Sequence, residues 1–66
     1  MIKHWVSGEG IEVERPDVDA FIQDIFAVYE RHGMSISHED GHGAFIIEKD
    51  DLFNRGWLQN AHIEGV

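Results

Sequence analysis

The spacing of apolar residues changes along the chain, and each change marks an element. From Met34 to Glu48 the chain reads Met-Ser-Ile-Ser-His-Glu-Asp-Gly-His-Gly-Ala-Phe-Ile-Ile-Glu, with apolar and polar residues alternating on either side of Asp40-Gly41. Alternation broken by Asp-Gly is the pattern of two antiparallel strands joined by a tight turn. With the turn centred on Asp40-Gly41, Ile36 pairs with Phe45 and Met34 with Ile47. Those four side chains then share the core face, while Ser35, Ser37 and Ile46 share the other. The serines are expected in solvent, and Ile46 is left for a second layer or a partner.

Upstream the period lengthens. Val18, Phe21, Ile22, Ile25, Phe26 and Tyr29 recur at helical spacing, with Asp19, Gln23, Asp24, Ala27, Glu30 and Arg31 on the other side. Pro16 is tolerated in a first turn, Asp17 and Asp19 suit the positive end of the helix dipole, and Gly33 suits a left-handed C-cap. A helix is expected over about 17–32. Before it, Gly8-Glu9-Gly10 marks a turn and Ile11-Glu12-Val13-Glu14 alternates. Residues 2–14 fit a hairpin and a single strand with an extended lead-in equally well. After the 34–48 hairpin, Asp50 or Asp51 suits the cap of a helix over about 50–61 carrying Phe53, Trp57, Leu58 and Ala61. Gly56 weakens that helix by about 1 kcal/mol relative to alanine. Residues 63–66 read as a frayed end. The order predicts a single α+β domain over 1–66, with a small antiparallel sheet (hairpin 34–48 plus one or two N-terminal strands) packed on both helices. Its expected core is Phe21, Ile25, Ile36, Phe45, Ile47 and Trp57.

Length and charge narrow the partners. A core in 66 residues supplies only about 3–5 kcal/mol, so a homo-oligomer, in the simplest case a dimer, is expected to extend it. The chain has no cysteine, which excludes disulfides and thiolate metal sites. Thirteen acidic residues against five basic ones give a formal charge of -8. Such a surface repels phosphate backbones and anionic membranes, and favours a protein partner with a basic surface over direct contact with nucleic acid. No apolar run approaches the roughly 20 residues that span a bilayer, and Met1–Gly8 is too short and polar for a signal peptide. A cytoplasmic protein is expected.

His38-Glu39-Asp40-Gly41-His42 matches the H-E-x-x-H pattern of zinc proteases. That motif needs a helix to bring both rings to one face, and Asp-Gly in its interior signals a turn instead. A weaker metal site remains open at His38 and His42, with Glu39 and Asp40 as oxygen donors and His4, His32 or His62 as side chains that the fold could bring up to them. On the plainer reading Asp40 makes the turn, Glu39 and His42 are solvated, and His38 covers the edge of the core opposite Gly43. No serine–histidine–acid set and no phosphate-cradling loop is evident, so no catalytic residue and no cofactor is assigned. Trp5, Phe26, Tyr29 and Trp57 read first as core, with an exposed anchor at a binding surface as the sharper reading.

The segments Ser35-Ile36-Ser37-His38-Glu39-Asp40 and Gly43-Ala44-Phe45-Ile46-Ile47-Glu48 lie between an amphipathic helix and a helix with Asn54, Trp57-Leu58 and Ala61. Over residues 18–61 this arrangement resembles short open reading frames carried by bacteriophages and prophages. The resemblance implies a setting and no activity. Small acidic proteins in that setting often bind and inhibit host defence proteins, as anti-CRISPR proteins do. The expected function is therefore a non-enzymatic, phage-type inhibitor of a host protein, such as a CRISPR-type nuclease complex. Glu9, Glu12, Glu14, Asp17, Asp19 and Asp24 are the candidate contact residues. The alternatives are a small-ligand or metal-binding module at the hairpin tip, and a self-assembling structural or regulatory phage protein.

Overall fold

The computed structural model describes residues 3–41 and 43–64. Its longest element is the helix that the apolar spacing marks, α1 (Pro16–His32). Proline opens it, and no side chain caps it: Arg15 is extended and makes no cap hydrogen bond. Gly33 ends it in the left-handed region at φ 68°, where its N–H donates to the Tyr29 carbonyl at 2.7 Å.

Before α1 the hairpin alternative is the one adopted. β1 (Lys3–Trp5) pairs antiparallel with β2 (Glu12–Glu14), with Lys3 opposite Glu14, His4 opposite Val13 and Trp5 opposite Glu12. The Val6 N–H closes the connection on the Ile11 carbonyl at 2.8 Å. The chain end does not fray at Ile63. Ile63 bridges Val6 in parallel fashion, donating to the Trp5 carbonyl at 2.9 Å and accepting from the Ser7 N–H at 2.7 Å. These bonds satisfy the free edge beyond β1, so the expectation of a loose tail is corrected there. Gly65 and Val66 lie outside the described residues.

β3 (Met34–His38) and β4 (Phe45–Lys49) form a second two-stranded antiparallel sheet, separate from the first. The class is α+β as expected, with four strands in two sheets among the described residues. The register differs from the one that a turn at Asp40-Gly41 sets: Ile36 pairs with Ile47, Met34 with Lys49 and His38 with Phe45. The connection is longer because Gly43 takes a left-handed conformation, φ 69°. The Glu39 N–H donates to the Ala44 carbonyl at 2.8 Å and the Gly43 N–H returns to the Glu39 carbonyl at 2.9 Å. The shift is two residues, so each side chain keeps its predicted face.

What changes is which face is inside. Ser35 is 1% exposed, whereas Phe45 is 80% and Ile47 64% exposed, and Met34 and Ile36 are also open. The expected core of Phe21, Ile36, Phe45, Ile47 and Trp57 is therefore corrected: all five are exposed, and only Ile25 is half-buried. The cause lies in α2 (Leu52–Gln59). Asp51 caps it, its Oδ1 accepting the Asn54 N–H at 2.7 Å, and this fixes the first turn against β3. Asn54 Nδ2 then donates to Ser35 Oγ at 2.9 Å, and Ser35 Oγ donates to the Lys49 carbonyl at 3.1 Å. Both side chains are buried, and this polar chain draws the serine side of the hairpin inward. Among the described residues the buried apolar side chains are Val6, Ile22 and Tyr29, accompanied by His4, Ser35 and Asn54.

His4 joins the two halves. Its ring is buried, with Nε2 2.8 Å from Asp19 Oδ1 and Nδ1 3.4 Å from the Ala61 carbonyl oxygen. β1, α1 and the C-terminal segment meet at this one side chain. At the other end Arg55 pairs with Asp50 and lies 5.6 Å above the Phe26 ring, linking α2 to α1.

Asn54→Ala should lower unfolding stability by about 1–3 kcal/mol, because it strips a buried hydroxyl of its donor. Urea denaturation followed by circular dichroism checks this, and a variant as stable as the parent would remove Asn54 from its organising role.

Candidate functional site

At the hairpin tip, β3 ends at His38, and residues 39–41, which follow it within the H-E-x-x-H letters, lie in no helix. His38 Nδ1 lies 3.4 Å from Asp40 Oδ1. Its ring rests on Trp57, centroids 4.4 Å apart and planes tilted by 50°. Against those rings α2 presents exposed Phe53 and Leu52 around a shallow hollow of about 530 Å³. His42, the other metal candidate, lies outside the described residues. Among the described residues no three His, Asp or Glu side chains gather as metal ligands. His4 does not approach the tip, since Asp19 and Ala61 hold it in the interior.

The acidic candidates divide into two groups. Asp19 is turned inward onto His4, and its side chain is 22% exposed. Sequence spacing places it on the outer side of α1, and the correction comes from the buried ring that it serves. Asp17 is exposed but committed locally: Arg15 Nε and Nη2 donate to its two oxygens at 2.9 and 2.7 Å. The Arg15 guanidinium holds the Asp17 carboxyl down to about 2. Arg55 likewise holds Asp50 below the ordinary carboxylate range by donating to it. Glu9, Glu12, Glu14 and Asp24 are exposed.

Glu12 and Glu14 flank Val13 on β2, so they project from one side of the β1–β2 sheet. Their partners on that side are Trp5 and Lys3, while His4 opposite Val13 points into the interior. Trp5 is 45% exposed, which corrects its reading as core. The outer side of β1–β2 is thus an indole framed by carboxylates, with Glu9 in the adjoining turn.

A second surface was not visible in the sequence. Between α1 and the exposed face of β3–β4 lie two hollows of about 420 and 210 Å³. The larger is lined by Ile25, Tyr29, Ile36, Phe45, Trp57 and Leu58 among others, and the smaller by Val28, Tyr29, His32, Met34 and Ile47 with others. Its one sequence signal is the excess of apolar residues over what so small a chain can bury.

Compared with protein-family models, with curated proteins and with solved structures, the chain matches none. No helix among the described residues is long and apolar enough to cross a membrane.

Asp17 gives a direct check on these electrostatics. Its folded value, about 2, lies below the ordinary 3.8. The Arg15–Asp17 contribution is therefore present above about pH 4 and is lost as pH falls through about 2. In ¹³C NMR the Asp17 carboxyl should titrate near 2, and Arg15→Ala should return it towards 3.8. A parent carboxyl titrating near 3.8 would contradict the fork seen here.

Proposed function

We propose that this chain is a non-enzymatic, phage-type binding protein that occupies a basic surface of a host protein in the host cytoplasm and blocks it. The single observation that supports this reading is the outer side of the β1–β2 sheet, where exposed Trp5 stands opposite Glu12 with Glu14 and Glu9 around it. Tryptophan supplies a large apolar contact at low entropic cost and is enriched among residues that dominate binding energy. Carboxylates around it steer a cationic partner and reject an anionic one. The mechanism is occupation: the acidic sheet fills a surface that otherwise receives phosphate groups. A CRISPR-type nuclease complex is the partner class that the sequence resemblance suggests.

The geometry reduces the set of contact residues. Asp19 and Asp17 already have intramolecular partners, so Glu9, Glu12, Glu14 and Asp24 carry the contact together with Trp5. The His38–Asp40 pair of nitrogen and oxygen donors at the hairpin tip supports a second reading, a metal or small-ligand site. Native mass spectrometry separates it by reporting any retained ion or small molecule.

The experiment is capture of the partner from host lysate on the immobilised chain, compared with a Glu9→Lys/Glu12→Lys/Glu14→Lys variant and with Trp5→Ala. The parent should retain a basic protein that elutes with rising salt. The triple reversal should abolish retention and Trp5→Ala should weaken it at least tenfold, the effect of about 1.4 kcal/mol. Retention unchanged by the charge reversal would overturn the reading.

A further inference from the structure

The two hollows share Tyr29 and Ile36, so they are parts of one trough between α1 and the outward face of the β3–β4 hairpin. Phe45 and Ile47 stand along it, largely uncovered. We propose that this trough seats a second copy of the chain, the apolar hairpin face of each copy lying in the trough of the other about a two-fold axis.

Surface area is the first argument. The chain exposes 4996 Å², whereas a compact monomer of 7.6 kDa exposes about 4,300 Å². The difference, roughly 700 Å², is close to the about 800 Å² that each partner contributes to a standard stable interface. Shape agrees. The radius of gyration is 12.7 Å and the extents are 32 × 28 × 17 Å, against about 11 Å for a compact chain of this length. The molecule is a flattened slab.

Charge is the second argument, and it distinguishes a copy from other partners. The chain carries thirteen carboxylate side chains, yet among the described residues lining the trough none is Asp or Glu. Two copies at -8 each can approach closely only where carboxylates are absent, and this is such a surface. A basic partner gains nothing from an acid-free trough and is drawn to the carboxylates of the β1–β2 sheet. The third argument is self-complementarity. Protruding Phe45 and Ile47 and the hollows beside them occur on the same surface, which is what an isologous interface requires. Two hairpin faces closed in this way restore the rule that alternating strands hide their apolar side.

Dimerisation and capture of the basic partner are independent readings, because they use different faces and different residues. Sedimentation equilibrium of the purified chain should give twice 7.6 kDa. A Phe45→Lys/Ile47→Lys variant should sediment as the monomer with its helical circular dichroism retained. Ile11→Lys, at an exposed site outside the trough and the hollow beside it, should remain a dimer. A parent chain that is monomeric at every concentration overturns the proposal and assigns the trough to a different occupant. A dimer that survives Phe45→Lys/Ile47→Lys, or that Ile11→Lys destroys, also overturns it. Should the double variant unfold, the absence of native cysteine provides a second route. A short bismaleimide should link copies of the Ile47→Cys variant and not copies of Glu12→Cys, and equal or absent linking in the two overturns the assignment.

Discussion

The buried hydrogen bond from Asn54 to Ser35 decides which way the second hairpin faces. Asp51 fixes the first turn of α2, that turn presents Asn54 to β3, and Ser35 completes the chain to the Lys49 carbonyl. A buried polar group left without its partner costs about 1–3 kcal/mol, which is large beside the roughly 3–5 kcal/mol that a core of this size supplies. Once the serine side is tied inward, alternation carries Ile36, Phe45 and Ile47 outward. The open trough and its missing carboxylates follow from that one choice.

The rest of the structure is held by a second polar tie of the same kind. His4 connects β1 to α1 through Asp19 and to the C-terminal segment through the Ala61 carbonyl. Around it the Val6–Ile63 bridge closes the sheet edge, and Ile22 and Tyr29 supply the apolar contact. The two ties divide the molecule by function. The His4 end presents Trp5 and the glutamates, the proposed contact for a basic partner. The Asn54 end presents the apolar trough, the proposed contact for a second copy. A dimer closed through the trough displays two acidic sheets, and paired sites gain avidity wherever a partner offers two basic surfaces.

Helix α1 is legible in the sequence because three independent signals agree: the apolar spacing, Pro16 at its start and Gly33 at its end. Both strands of the second hairpin are legible for the same reason. The register is not, because the left-handed Gly43 that lengthens the loop competes with the Asp40-Gly41 signal, and local pattern cannot rank the two. The buried face is hidden for a deeper reason. Alternation says that one side is apolar and never says what covers it, and the covering depends on Asn54, nineteen residues from Ser35. Asp19 illustrates the same limit at the candidate site: its position on the helical wheel is outward, and only the distant His4 turns it in. Asn54 on an otherwise amphipathic helix and Ser35 within an apolar strand are the signals that, taken together, mark this polar seam.

In the proposed dimer the apolar hairpin face, turned away from the chain's own core, is completed by another molecule of the same kind. Thermal unfolding of the purified chain across a hundredfold range of protein concentration addresses it most directly. If folding and association are linked through that face, Tm rises steadily with concentration. A Tm independent of concentration, with a single cooperative transition, would show that the chain is complete by itself and contradict the account.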